Sequence, residues 1–336
     1  MTSTNKKDFV CWNPFTYMEI HENGLATMCC PAWISETFDA YNLKEEWGSE
    51  KAWAVRNSIK DGSYKYCNEK FCPVLTAIRE GRADYVEQVT PETFNWTEDK
   101  LPPMKHVKFC FDTTCNLYCK TCREQRIVYT GKKREEVDSM MARIERDFGD
   151  QLELIDVSGS GEVFFSKTFR DWLLNFDPEK YPKLQNIHIH TNGIMWTESF
   201  WERVTLAKPF VHSAEVSIDG ACKETYEKIR RGGTWERLVK NLEYIATLPL
   251  ETITCSFVVQ RDNYREIEAF YEFVKGIFEN SGIEWKVMYG RVGDWGRLTR
   301  EHWEEVNIFA DPEAEKEIIK TVEQLAKSHG NVLSNL

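Results

Sequence analysis

The chain has 336 residues, 42% hydrophobic and 29% charged, with 43 Lys and Arg against 54 Asp and Glu for a formal net charge of −11. This is ordinary globular usage at a length of about two domains, which excludes a disordered or fibrous chain. The acidic balance is the reverse of what a protein holding nucleic acid through its phosphates carries. No apolar run is long enough to cross a bilayer, and the opening MTSTNKKDFVCW has no apolar export core. A soluble, cytoplasmic protein with no nucleic-acid or membrane partner is therefore expected.

In chain order, TYMEI, HENG and LATMCC predict a β-hairpin with Gly24 at a turn position that tolerates positive φ. An amphipathic helix is predicted over 49–60, with Ala52, Val55 and Ile59 on one face and Gly62 as its stop. A short turn bearing Cys67 and Cys72 follows, and residues 90–100, closing on Leu101-Pro102-Pro103, read as a linker. From Met104 the pattern alternates strand and helix. Strands are predicted at MKHVKFCF, LELIDVS, LQNIHIH, SAEVSI, TITCSFVV and EWKVMYG. Helices are predicted over 134–148, 167–175, 198–206, 235–246, 266–278 and 313–328. Repeated βα units imply a parallel sheet with right-handed crossovers. Six units are too few to close an eight-stranded barrel. The expected fold is thus α/β, a partial (β/α)6 TIM-like barrel preceded by a small Cys-rich α+β module. In such barrels chemistry sits in the loops after the strands. Here those loops are FDTTCNLYCKTC, GSGEVFF, HTNG, SIDGAC, QRDN and GRVGDWG.

Nine of the eleven cysteines precede residue 123. An odd count without an export signal argues against a disulfide framework, and clustered thiols in a reducing compartment bind metal. Cys115, Cys119 and Cys122 form CxxxCxxC in the loop after the first barrel strand. Three thiolates can hold a four-iron cubane and leave one iron open to an outside ligand. A structural zinc would want a fourth ligand, and the nearest histidine is His106.

With these loops in order, residues 104–336 resemble the radical S-adenosylmethionine superfamily. Ser160-Gly161-Glu162 resembles the family's Gly-Gly-Glu motif, with Ser in the first place, which holds the cofactor's methionyl amino group. Thr191-Asn192-Gly193 and Ser217-Ile218-Asp219-Gly220 resemble the loops after the third and fourth strands. The resemblance implies that Arg230 meets the cofactor carboxylate, Ser217 the ribose or carboxylate, and that Asn192 and Asn263 are polar contacts. Thr121 departs from the aromatic or apolar residue usual before the third Cys. Cys11, Cys30, Cys67 and Cys72, with Phe15, Ile20, Gly24 and the Cys-Cys-Pro sequence, resemble a SPASM/twitch auxiliary-cluster module placed before the barrel. Cys30 is preferred to Cys29 because adjacent strand residues point to opposite faces, so only one serves. Four-thiolate zinc is the alternative at that module.

The expected organisation is residues 1–100 as auxiliary module and linker, and 101–336 as radical SAM barrel with a C-terminal helix. The implied cofactors are a [4Fe-4S] cluster at the barrel site, a second auxiliary [4Fe-4S] cluster and S-adenosyl-L-methionine. The implied activity is reductive cleavage to a 5′-deoxyadenosyl radical that takes hydrogen from a small-molecule or sugar-like substrate, ending in oxidation or epimerisation. A peptide-modifying enzyme and a zinc-stabilised binding protein are the alternatives. The resemblance also implies an electron donor such as flavodoxin or ferredoxin. Cys110 and Cys255 read as core, since a free Cys behaves as a small hydrophobe. Cys222 is a candidate hydrogen donor in the loop after the fourth strand. His188 and His190 share a strand face, and Tyr289, Arg291, Asp294 and Trp295 follow the last strand at the rim.

Overall fold

The computed structural model describes residues 6–80, 87–89, 93–97, 99–294 and 298–336. Part of the expected linker, residues 90–92 and 98, and Trp295 lie outside the described residues. The chain divides into two compact units. One comprises Met1–Asp112, Lys132–Asp156 and Pro178–Gln185; the other comprises Thr113–Gly131, Val157–Asp177 and Asn186–Leu336.

The first unit holds strands β1 (Phe9–Val10), β2 (Tyr17–His21), β3 (Leu25–Thr27), β4 (Phe38–Asp39), β5 (Glu87–Gln88) and β6 (His106–Cys110). Its helices are α1 (Asn13–Thr16), α2 (Leu43–Trp47), α3 (Glu50–Lys60), α4 (Pro73–Glu80) and most of α5 (Gly131–Phe148). The expected hairpin is β2 and β3, antiparallel, with Gly24 at φ +75°. β2 also pairs in parallel with β6, from Tyr17↔His106 to His21↔Cys110. That ladder joins residues on either side of position 100, so the compact units divide elsewhere than the expected 100/101 boundary. Helix α3 starts where Ser49 Oγ accepts from Ala52 N, and Ala52, Val55 and Ile59 are buried as its periodicity requires. Arg56, on the same helix, is fully buried. Its guanidinium lies 4.4 Å from the Trp47 ring and 5.1 Å from the Trp53 ring, and it donates to Trp47 O and Pro14 O. These contacts pin α1, α2 and α3 together.

The sequence first enters the second unit at Thr113; of β7 (Leu154–Val157), Leu154–Asp156 are counted with the first unit and Val157 with the second. Strands β8 (Asn186–Thr191), β9 (Ser213–Ser217), β10 (Thr252–Val259), β11 (Glu284–Arg291) and β12 (Val332–Asn335) lie side by side there, all parallel. Helices α6 (Lys167–Leu174), α7 (Glu198–Trp201), α8 (Lys223–Ile229), α9 (Trp235–Ile245), α10 (Ile267–Phe278), α11 (Arg300–Val306) and α12 (Pro312–Ser328) alternate with them. One face of these strands is apolar and buried: Ile187, Ile189, Val216, Ile253, Phe257 and Val287. The other carries His188, His190, Ser213, Glu215, Ser217 and Ser256, most of them half-buried. The period of two therefore marks one face for helices and leaves a polar face. Cys255 and Cys110 are buried strand residues, as expected of small core side chains. No helix among the described residues is long and apolar enough to cross a membrane.

Candidate functional site

The loop carrying Cys115, Cys119 and Cys122 is folded back on itself by Cys115 N donating to Ile127 O at 2.9 Å. Leu117, fully buried, sits among Cys115 and Cys119, with Cys122 packed alongside. The segment after α8 clamps this loop from the side. Tyr118 N donates to Arg231 O (3.0 Å), Lys120 N to Ile229 O (2.8 Å), and Arg231 Nε to Tyr118 O (2.9 Å). Each sulfur faces nitrogen donors. Cys115 Sγ accepts from Leu117 N (3.4 Å) and lies 3.8 Å from Asn192 Nδ2; Cys119 Sγ lies 3.8 Å from Arg230 Nη1; Cys122 Sγ lies 3.3 Å from Arg123 Nε and Nη2. Burial, then the Glu162 carboxylate, pushes the Cys115 thiol up to about 12, and burial raises Cys119 as well. These N–H groups suit thiolates that carry charge onto a metal. Among the described residues no three His, Cys, Asp or Glu side chains converge as they would on one ion. Three cysteines with N–H donors at their sulfurs are a donor set that fits cysteine ligation of an iron–sulfur cluster.

Arg123, immediately after the third cysteine, escaped the sequence reading. It is buried, and besides Cys122 it donates to Thr113 O and Ser160 O, both at 2.6 Å. Burial opposes its charge, but the thiols of Cys122 and Cys115 outweigh that and hold the guanidinium protonated. Its position next to the motif was the one available signal.

Glu162 is not a solvated loop carboxylate. It is fully buried, and its oxygens accept from Thr191 Oγ1 (2.6 Å), Asn192 N (2.6 Å) and Phe164 N (3.1 Å). Burial raises its carboxyl to about 7 against the pull of those donors. It thus ties the loop after β7 to the loop after β8. Asn192 carries the tie onward, Nδ2 donating to Asn116 Oδ1 at 2.9 Å. Gly161 lies between Ser160, whose carbonyl Arg123 takes, and Glu162. Arg230 forms a 2.7 Å ion pair with Asp219, a residue at φ +63°, and its Nε is buried without a partner.

Three further expected residues have the following surroundings. Asn263 Nδ2 donates to Asp219 O and Val258 O, and its Oδ1 accepts from Gln260 N. These bonds brace its loop. Ser217 Oγ lies 3.1 Å from both His190 Nε2 and Ser256 Oγ, within the polar strand face. Cys222 precedes α8, with Thr225, Glu266 and Glu224 within 3.9 Å of its sulfur. Its neighbours are those carboxylates and a hydroxyl, not the three-thiol loop.

A second thiol group lies in the first unit. Burial, and after it the neighbouring thiols, raise three of its members: Cys29 to about 11, Cys67 to about 12, and Cys11 further. Asn13 Nδ2 donates to Cys29 Sγ at 3.4 Å, and Phe9, Phe15, Tyr64, Trp12 and Trp33 wall the group. The Cys67 segment is laid against the residues after the Cys pair by Asn68 N donating to Trp33 O and Ser35 N to Tyr66 O. Burial raises Cys30 too, where the charges acting are Glu19 and Lys108; those acting on Cys29 include Cys72 and Cys30. The pair lies beyond Thr27, where β3 ends, so strand alternation did not extend to it.

Parallel βα units with three thiols in one post-strand loop and polar ties across the next loops make an α/β fold with a mostly parallel sheet around a cysteine-rich site. Residues 111–274 match the model of the Radical SAM superfamily. A family of this kind implies a [4Fe-4S] cluster and S-adenosylmethionine. The chain is 24% identical over 177 residues to the "Probable GTP 3',8-cyclase" of Methanocaldococcus jannaschii, covering 52% of this chain and 56% of that protein. It is 29% identical over 163 residues to the "GTP 3',8-cyclase" of Hydrogenovibrio crunogenus, covering 47% of each. The match thus spans about half the length of these curated relatives. Among solved structures, native anSMEcpe with bound AdoMet and Cp18Cys peptide shares the fold, with a TM-score of 0.50 at 18% identity, covering 69% of this chain and 63% of that one.

Proposed function

We propose that the chain reductively cleaves S-adenosylmethionine at a cluster held by Cys115, Cys119 and Cys122, and takes hydrogen from a small-molecule or sugar-like substrate in an oxidation or epimerisation. The observation that carries this reading is a trio of packed thiols, each facing N–H donors. When bound, the cluster and the sulfonium compound supply the one-electron chemistry. The chain's own residues hold and aim it. Arg123 and Arg230 offset thiolate charge, while Glu162 and Asn192 keep the second and third loops in register with the thiol loop. Ser160, Gly161, Ser217 and Arg230 surround the place where the cofactor's polar groups would be met.

Residues 1–100 carry the auxiliary cluster in this proposal, on Cys11, Cys29, Cys67 and Cys72. The polar strand face of His188, His190 and Glu215 suits a hydroxylated or heteroatom-rich substrate. The names of the matched relatives, GTP 3',8-cyclases, support a small molecule over a peptide. An external one-electron donor, flavodoxin- or ferredoxin-like, completes the scheme, and the enzyme works in the cytoplasm.

Anaerobic purification with iron and sulfide analysis, then dithionite and S-adenosylmethionine, tests this. About eight irons per chain and release of 5′-deoxyadenosine are expected. The C115A/C119A/C122A variant should lose about four irons and all cleavage. Zinc in place of iron, or cluster without cleavage, would overturn the proposal, and about four irons in the wild type would remove the auxiliary site.

A further inference from the structure

We propose that Gln260 binds the adenine edge of S-adenosylmethionine through both ends of its amide; this rests on the radical SAM reading of the same unit. Gln260 follows the last residue of β10 and continues the alternation of Thr254, Ser256 and Val258. In register, Ser256 meets Ser217, which bonds His190, so this is the polar side of the strands. The backbone of Gln260 is fixed: its N–H donates to Asn263 Oδ1 (2.8 Å), and its carbonyl accepts from Asn263 N and Tyr264 N, both at 3.1 Å. Asn263, with its own amide spent on Asp219 and Val258, is the brace that sets Gln260 in place.

The Gln260 side chain is 0% exposed, yet neither Nε2 nor Oε1 has a hydrogen-bond partner. A buried amide left unmade at both ends is rare and unfavourable, and an absent ligand is a standard reason for it. The two orphaned atoms have opposite polarity and sit on one planar group, so they call for a partner presenting a donor beside an acceptor. Adenine does so with its 6-amino group next to a ring nitrogen, the pairing that Gln and Asn make with adenine in nucleic acids. The methionyl end of the cofactor is charged and better matched to a charged donor. Arg230, whose Nε is also buried and unpartnered, supplies one beside Asp219 and Cys119. Since Gln260 is wholly out of water, the nucleoside reaches it only as its cover shifts on binding.

The test uses anaerobically reconstituted full-length protein and equilibrium dialysis with S-adenosylmethionine, 5′-deoxyadenosine and methionine, each alone. Q260M keeps nearly the same volume and removes both orphaned atoms. Its thermal midpoint should equal or exceed the wild type's, while the dissociation constants for S-adenosylmethionine and 5′-deoxyadenosine rise at least roughly tenfold and that for methionine stays put. A ligand-side arm needs no variant. 5′-Deoxynebularine, which carries only hydrogen where adenine carries its amino donor, should bind wild type at least roughly tenfold more weakly than 5′-deoxyadenosine. Unchanged 5′-deoxyadenosine binding in folded Q260M, or equal binding of the two nucleosides, overturns the assignment, as does weakening confined to methionine. Wild-type protein that binds no S-adenosylmethionine at all overturns the parent reading instead.

Discussion

In the proposed auxiliary site, Cys29 rather than Cys30 is taken as the ligand. Cys29 shares its surroundings with Cys11, Cys67 and Cys72, and Cys30 faces Glu19 and Lys108. C29S is accordingly expected to lose about four irons per chain, the content of one cubane, and C30S to keep the full complement; iron analysis of the two variants side by side checks this. Glu162 makes a second residue-scale case. An unfolded glutamic acid releases its proton near 4.5, but burial holds Glu162 to about 7 in the fold. Between those values the folded chain binds more protons than the unfolded one, so this group's contribution is fully present below about pH 4.5 and is lost as pH rises through 7. Urea unfolding of the metal-free chain from pH 4.5 to 8 should show a decline of up to roughly 3 kcal/mol that E162Q lacks. Parallel profiles for the two proteins would mean that the carboxylate is ionised in the fold without penalty.

Loops and helices carry the site as units. Helix α8 begins just after Gly220, where a Cβ would stand 2.7 Å from Tyr226 N and 2.9 Å from Tyr226 Cα. Neither is a side-chain tip that could swing aside. G220A must therefore move α8, and with it the Ile229 and Arg231 carbonyls that hold Lys120 and Tyr118 of the thiol loop. A stability loss of roughly 1–3 kcal/mol is expected, together with poorer cluster retention. Gly276 in α10 is the control. Nothing lies within 4 Å of a Cβ there, so G276A should stabilise by up to about 1 kcal/mol. Chemical denaturation of both variants separates a steric effect at α8 from a general effect of alanine. At this scale the sequence was a good guide for long elements. The six barrel strands and the longer helices fall where period two and period 3.6 put them, except that the helix expected over 198–206 ends as α7 at Trp201. Short pieces were not legible. β1, β4, β5 and β12 have too few residues to show a period, and β12 exists because β11 offers it an edge, from Val287↔Val332 onward.

For the molecule as a whole, the chain's division at residue 100 was read from composition, a polar stretch followed by a Pro pair. The compact units ignore that mark, because β2 finds its parallel partner in β6 and α5 falls largely with the first unit. The match to the Radical SAM superfamily spans 111–274, and the thiol motif and its following loops were legible because ligands three and four residues apart are close whatever the rest of the chain does. Sequence by itself settled what is local: the order of βα units, the two-faced strands, the three-thiol loop and the grouping of thiols before it. Tertiary structure alone decided that Asn263 spends its amide on Asp219 and Val258, that Arg123 spans to Ser160, and that the Gln260 amide is left with no partner. The reason is physical. Periodicity and spacing specify where a side chain can point, but a hydrogen bond is completed only by a partner brought near through space, and that partner is chosen by the packing of distant segments.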